Sequence, residues 1–454
     1  MQINRFSEAG DSKRLNPSPA QILVFGFAAV ILLGTLLLSM PFSSSEGKYT
    51  PFIDALFTST SAVCVTGLVV VDTGTYWSAA GQAIILLLIQ VGGLGFMTMA
   101  TFFFLIMGKK IGLKTRMVMQ ASFNQNNLQG IVNLGKHVLI FTFVVEVLFA
   151  TVLATRWGFE MDLQKALWYG FFHSVSAFNN AGFDLFGGFR SLTGYAGDIV
   201  VNLSITTLII LGGIGFGVVM EVMYLRKNKN RLHTHTKLVL STTSVLIAAG
   251  TLLFFVFEYG NTLQSLSFSE KLLASYFQSV TPRTAGYNTL DIGGLHSYTQ
   301  VLIIMLMFIG ASPGSTGGGI KTTTLAIMTV SVLSLSRGQT EATVFKRSIS
   351  QDQIAKSVAI IFMAVTLVAV VSTALMITEG VDNYLLTLFE TVSAFSTVGL
   401  TMGLTPALSE AGKILIILTM FLGRVGTMTM VLAFSARNKS QVKVIYPKGK
   451  IMVG

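Results

Sequence analysis

Charge is what this chain has least of. Only 11% of its 454 residues are Asp, Glu, Lys or Arg, against about a quarter in soluble globular domains. So few charges cannot cover a water-facing surface, which excludes a soluble globular protein of this length. Cysteine is almost absent as well: with Cys64 alone, no intrachain disulfide can form. The polar start MQINRFSEAGDSKRLNPSPAQ lacks the layout of a signal peptide. Charges in the apolar segments are isolated, and His137, His173, His233, His235 and His296 show no metal spacing with acids or cysteine. No set of acid, base and metal ligands converges, so the chain is expected not to be an enzyme and to hold no organic cofactor.

What the chain has in excess is apolar surface. Hydrophobic residues make up 52% of it, and mean hydropathy is +0.69. A helix crossing a bilayer needs ~20 mostly apolar residues. Eight such segments lie near 21–41, 80–108, 135–155, 199–225, 238–258, 299–336, 355–378 and 409–435. The net charge of +11 then reads as membrane topology and not as nucleic-acid binding. Basic residues gather in KKIGLKTR (109–116), RKNKNR (226–231), the 337–347 segment and ARNKSQVKVIYPKGK (436–450). These belong on the cytoplasmic side of the cell membrane, with both termini.

Between paired apolar segments lie shorter ones that align without gaps: FTSTSAVCVTGL (57–68), FHSVSAFNNAGF (172–183), YFQSVTPRTAGY (276–287) and FETVSAFSTVGL (389–400). Each has an aromatic residue ten positions before a glycine. Those glycines, Gly67, Gly182, Gly286 and Gly399, stand 115, 104 and 113 residues apart. A second echo follows each: GGLGF (92–96), GGIGF (212–216), GASPG (310–314) and GRVGT (423–427). For GGLGF and GGIGF the favoured reading is close helix packing. The expected fold is an all-α membrane protein. Four pseudo-symmetric repeats of span, pore helix, filter and span, with eight transmembrane helices, surround one central pore. The expected divisions are an N-terminal tail (1–20), repeats at 21–116, 117–231, 232–347 and 348–436, and a C-terminal tail (437–454).

Irregular backbone at membrane depth is tolerated only inside protein or beside a water-filled path. Glycine lets such a chain turn. Carbonyl oxygens of four stretches can then replace the water shell of a cation. The expected filter stretches are Val63, Cys64, Val65, Thr66 and Gly67; Phe178, Asn179, Asn180, Ala181 and Gly182; Pro282, Arg283, Thr284, Ala285 and Gly286; and Phe395, Ser396, Thr397, Val398 and Gly399. They contain no Asp or Glu, which favours a monovalent cation at the filter carbonyls. Arg283 is expected to point behind the filter toward an acid.

GASPGSTGGGIKTT (310–323) imitates a phosphate-binding loop, but Ile320 separates Gly319 from Lys321, and G-x-x-x-x-G-K-[ST] needs them adjacent. It reads instead as a break in a membrane helix below the filter. Gly310, Ala311, Ser312, Pro313, Gly314, Ser315, Thr316, Gly317, Gly318, Gly319 and Lys321 make up that break. Arg424, charged within an apolar segment, either faces the pore and restrains that loop or pairs with an acid such as Glu146 or Glu221. Asp54 and Glu390 read as acids early in pore helices, Cys64 as a small filler in preference to a reactive thiol, and Phe102, Phe103 and Phe104 as lipid or packing contacts.

The VTGL, NAGF, TAGY and TVGL segments resemble the single-glycine filter loops of the Trk, Ktr and HKT potassium transporters. The short N-terminus makes the chain similar to the eight-helix Ktr membrane subunit. That resemblance implies potassium uptake, an intramembrane gating loop at the 310–321 break, a homodimer, and a cytosolic nucleotide-binding regulatory ring of the RCK type. Gly67 supports potassium, since a serine in the first repeat goes with sodium preference in the HKT relatives. A role for Na+ stays open, as does a sodium-selective or poorly selective channel. A secondary transporter of an organic solute is disfavoured because the repeats share one orientation, not an inverted one.

Overall fold

A computed structural model of the protein describes residues 18–95, 112–122, 130–228, 232–339 and 341–434. The tail expected at 437–454, most of that expected at 1–20, and Phe102, Phe103 and Phe104 lie outside the described residues. Part of each of the basic stretches 109–116 and 226–231 does so too.

The described chain is helical apart from turns and one small hairpin, Thr343–Val344 against Arg347–Ser348. In chain order the helices are α1 (Pro19–Ser39), α2 (Phe52–Cys64), α3 (Thr73–Tyr76), α4 (Ala79–Leu94), α5 (Leu113–Ser122) and α6 (Ile131–Trp157). Next come α7 (Leu163–Phe178), α8 (Ile199–Gly213), α9 (Phe216–Asn228), α10 (Thr234–Glu258), α11 (Phe268–Val280) and α12 (Ser297–Phe308). The last are α13 (Thr322–Ser336), α14 (Gln351–Glu379), α15 (Tyr384–Phe395), α16 (Glu410–Val425) and α17 (Thr427–Phe434). Local sequence sets many of the starts. Ser18 with Gln21, Ser267 with Glu270 and Ser350 with Gln353 form capping boxes on α1, α11 and α14. Each satisfies backbone donors that a helix start leaves free.

Among the described residues, α1, α6, α10 and α14 are long and apolar enough to cross a membrane. Their outer faces carry large exposed apolar side chains, such as Leu33 and Phe25 on α1 and Phe362 and Ile377 on α14, a surface suited to lipid. The second apolar segment of each pair behaves differently. The sequence reading expects one break, at 310–321. The described chain departs from a straight helix at all four echo motifs. α4 ends at Gly95 (φ +80°), α8 and α9 meet at about 100° around Gly215 (φ +100°), and α16 ends at Gly426 (φ +87°). Positive φ at these glycines turns the chain in a way that a side chain would resist.

Packing closes these elements into a circle. α4 packs on α7, α8 on α11, α12 on α15, and α16 returns to α2. Close approach depends on the other glycines of the echo motifs. A Cβ on Gly92 would overlap the Val63 carbonyl, one on Gly212 that of Phe178, and one on Gly423 that of Phe395. Thus the packing reading of GGLGF and GGIGF describes one of their roles, and the turn is another. The last contact of the circle is also pinned by an ion pair, Lys413 Nζ to Asp54 Oδ1 at 2.6 Å.

Candidate functional site

The four glycine stretches come together. α2, α7 and α15 run into theirs directly, so Val63, Cys64, Phe178 and Phe395 close the helices instead of opening the extended parts. α11 stops at Val280, leaving Pro282 to Gly286 wholly outside it. The residue two before each glycine has positive φ: Val65 58°, Asn180 59°, Thr284 74° and Thr397 51°. Left-handed backbone costs a non-glycine residue roughly 1–2 kcal/mol, and such strain tends to collect at functional sites. The glycines follow with φ of 89°, 69°, 83° and 94°.

A side chain could not replace hydrogen at these glycines. A Cβ on Gly67 would overlap the Ala181 oxygen, one on Gly182 the Ala285 oxygen, one on Gly286 the Val398 oxygen, and one on Gly399 the Thr66 oxygen. Each glycine therefore stands against the carbonyl that precedes the next glycine, and the fourth meets the first. All four line one cavity of about 210 Å³, which also receives Asp184 and Asp291.

Hydroxyl groups fix the stretches from behind. Ser61 Oγ accepts from the Gly67 N–H at 3.1 Å, and Ser393 Oγ from the Gly399 N–H at 3.0 Å. Ser176 Oγ donates to the Phe183 carbonyl at 2.9 Å, and Thr281 Oγ1 to the Tyr287 carbonyl at 2.5 Å. Three of these hydroxyls belong to a Ser-Ala pair that recurs in the first, second and fourth stretches, and the sequence alone gives the serine no task. Its only signal is the recurrence itself, and in the third stretch the hydroxyl stands one position later.

The side chains three before each glycine, Cys64, Asn179, Arg283 and Ser396, are buried. Arg283 does point away into protein, but the expected acid is not what it meets. Its Nη2 donates to Thr243 Oγ1 at 3.4 Å, and Nε has no partner among the described residues. Asn180 and Thr284 lie with their side-chain polar atoms 3.0 Å apart, joining adjacent stretches. Glu390 is not early in its helix: it accepts from the Met402 N–H at 3.0 Å and the Thr405 hydroxyl at 2.6 Å, and so holds the loop that follows Gly399.

The segment from Gly310 to Lys321 is the non-helical link between α12 and α13. Pro313 and the glycines disfavour helix, and the freed backbone groups find protein partners. The N–H groups of Ser312 and Thr316 donate to the Gly213 and Gly212 carbonyls at 2.9 and 3.2 Å, and the Gly314 carbonyl accepts from Phe216 at 2.8 Å. The segment also touches the glycine stretches. Gly318 N–H donates to Thr397 Oγ1 at 3.1 Å, and a Cβ on Gly317 would strike the Thr284 hydroxyl. Lys321 folds back on its own loop, donating to the Gly317 carbonyl at 2.7 Å.

Arg424 is bound neither to Glu146 nor to Glu221. Its guanidinium donates to the carbonyls of Thr316, Gly92 and Gly93. It thereby ties the non-helical segment to the end of α4. Glu221 accepts from the Thr236 hydroxyl and the His233 N–H, both at 2.6 Å. Arg424, Lys321, Gly314 and Gly317 line a second cavity, of about 440 Å³.

Comparison with known proteins gives the same picture of relatedness along the whole chain. Residues 6–443 match the family described as "TrkH: Cation transport protein". The chain is 46% identical to Ktr system potassium uptake protein B of Bacillus subtilis, covering 96% of this chain and 97% of that protein. It is 40% identical to potassium/sodium uptake protein NtpJ of Enterococcus hirae, over 97% of this chain and 98% of that protein. In fold it is similar to the crystal structure of the potassium transporter TrkH from Vibrio parahaemolyticus, with a TM-score of 0.73 at 19% identity, over 93% of this chain and 86% of that one.

Proposed function

Given that this chain belongs to the TrkH family of cation transport proteins, we propose that it carries potassium into the cell through a pore at the centre of its four glycine stretches. The observation that carries this reading is the closed ring of Gly67, Gly182, Gly286 and Gly399, each set against the carbonyl before the next. Carbonyl oxygens from four strained stretches can stand in for the water shell of a cation. No carboxylate belongs to the stretches, which suits a monovalent ion. On this reading the chain comprises four repeats at 21–116, 117–231, 232–347 and 348–436. α2, α7, α11 and α15 serve as pore helices, and the eight apolar segments serve as the crossings. Both termini face the cytoplasm, and the cell membrane holds the protein.

The segment 310–321 is the gate in this proposal, with Arg424 its latch. Opening requires Thr316 to leave the guanidinium. A cytosolic nucleotide-binding ring and a second copy of this chain are the proposed partners, by the same resemblance. Names that speak of a Ktr system, on relatives at 46% and 37% identity, support a partner subunit.

A second reading gives sodium a part, because one relative at 40% identity is named for potassium and sodium uptake. The test for both is cation flux into liposomes holding the purified protein, comparing K+, Rb+, Na+ and Li+, beside a Gly286→Ser variant. K+ and Rb+ flux well above Na+, with selectivity or flux lost in the variant, supports the potassium filter. Equal Na+ flux favours the second reading. Absence of flux in wild type, in Arg424→Ala and with the regulatory subunit added overturns the pore.

A further inference from the structure

Three hydroxyls tie glycine-stretch helices to the long helices before them in the same manner. Ser59 Oγ donates to the Ile31 carbonyl at 2.7 Å, Ser174 Oγ to the Glu146 carbonyl at 2.7 Å, and Ser279 Oγ to the Ile247 carbonyl at 2.8 Å. Ile31, Glu146 and Ile247 are therefore equivalent positions on α1, α6 and α10. Two carry an apolar side chain. The third carries a carboxylate that is only 2% exposed. A carboxylate in the apolar interior of a membrane protein is costly and seldom kept without a task.

Its surroundings show which task. Glu146 Oε1 accepts from Asn179 Nδ2, and Oε2 from Gln90 Nε2, both at 3.1 Å. Gln90 Oε1 accepts from the same Asn179 amide at 2.8 Å. Three elements thus meet in a closed triangle: the end of α4, the middle of α6 and the start of the second glycine stretch. Asn179 is clamped from another side by Gly93, where any Cβ would overlap its Oδ1. The amide has little freedom to turn, and its backbone leads directly into Asn180 and Gly182. At the other three equivalent positions stand Cys64, Arg283 and Ser396, and the described structure ties none of these to a carboxylate.

We propose that Glu146 is a positioning residue for ion discrimination: acting through Asn179, it fixes where the second glycine stretch stands against α4 and α6. The inference rests on the reading of the glycine ring as the filter. Both side-chain oxygens of Glu146 accept from amide N–H groups, so together they hold Gln90 and Asn179 in one orientation. Isoleucine at 146, the residue of the two equivalent positions, removes both acceptors. Asn179 then keeps Val175 and Gln90 as partners but loses the anchor on α6.

The experiment measures competition of K+, Na+ and Li+ with Rb+ uptake into liposomes for wild type, Glu146→Ile, Glu146→Gln, Asn179→Ala and Gly182→Ser. Glu146→Ile should lower the preference for K+ over Na+ about tenfold, equivalent to about 1.4 kcal/mol. Asn179→Ala should match it, and Glu146→Gln, which keeps one acceptor, should recover most of the preference. The Glu146→Ile, Asn179→Ala double variant should be no worse than either single change, because both act through one contact. A folded Glu146→Ile with wild-type preference overturns the inference. If that variant cannot be purified, wild-type preference in Asn179→Ala overturns it instead. Gly182→Ser separates the two levels. Preference lost there but kept in the Glu146 and Asn179 variants sinks this inference alone, and preference kept in Gly182→Ser as well sinks the filter reading with it.

Discussion

The carbonyl oxygen of Thr66 lies against Gly399, so the last glycine stretch of the chain meets the first. Residues more than three hundred positions apart share one close backbone contact that no side chain could enter. Gly399→Ala would need the Thr66 carbonyl to move, and it would also place a Cβ at φ +94°. We expect at least about a tenfold loss of K+ over Na+ preference, corresponding to about 1.4 kcal/mol. Rb+ uptake in the presence of rising Na+ measures it.

Arg424 satisfies three backbone carbonyls at once, on Thr316, Gly92 and Gly93. Hydrogen bonds to a charged donor contribute about 1.5–3 kcal/mol each. Arg424→Ala should free the 310–321 segment and raise basal K+ flux about tenfold or more. Lysine, with a single point of charge in place of the planar fork, should fall between. Flux equal to wild type in a folded Arg424→Ala protein would remove the latch.

Asp54 and Lys413 close the circle of helices between α2 and α16, each side chain 18% exposed. That exposure lies between a surface pair, worth under about 1 kcal/mol, and a buried one, whose breaking costs about 3–5 kcal/mol. We expect Lys413→Met to destabilise by about 1–3 kcal/mol. Thermal melting in detergent should show it, and the Asp54→Asn, Lys413→Met double variant should recover part of the loss.

Ser61 and Ser393 accept from the N–H groups of Gly67 and Gly399. Ser61→Ala leaves a buried donor unpaired, a cost of about 1–3 kcal/mol. Selectivity should fall by a few-fold, with little change in the amount of folded protein. Ser61→Thr, which keeps the hydroxyl, should preserve it.

Much of this was legible beforehand. The four gapless stretches announced the residues that converge, because a ring built from one chain must repeat its own composition. The break at 310–321 was legible from Pro313 and its glycines. What alignment could not supply was partnership. The hydroxyl of the third stretch, Thr281, is displaced by one residue from Ser61, Ser176 and Ser393, and only its bond to Tyr287 reveals the equivalence. Arg283 pointed to an acid by charge alone, yet burial beside Thr243 decided otherwise. Gly95 and Gly215 read as packing glycines, since a small residue looks the same in sequence whether it admits a neighbour or turns the chain.

Cys64, Asn179, Arg283 and Ser396 hold one place in four quadrants and share no chemistry. An assembly of four identical subunits would have to repeat any change four times. Here a single codon alters one wall, and the remaining three stay as they were. A thiol, an amide, a guanidinium and a hydroxyl can each serve a separate neighbour, while the four glycines of the ring remain alike. Asymmetry is thus built in while the ring stays closed, and the protein can be altered one quarter at a time.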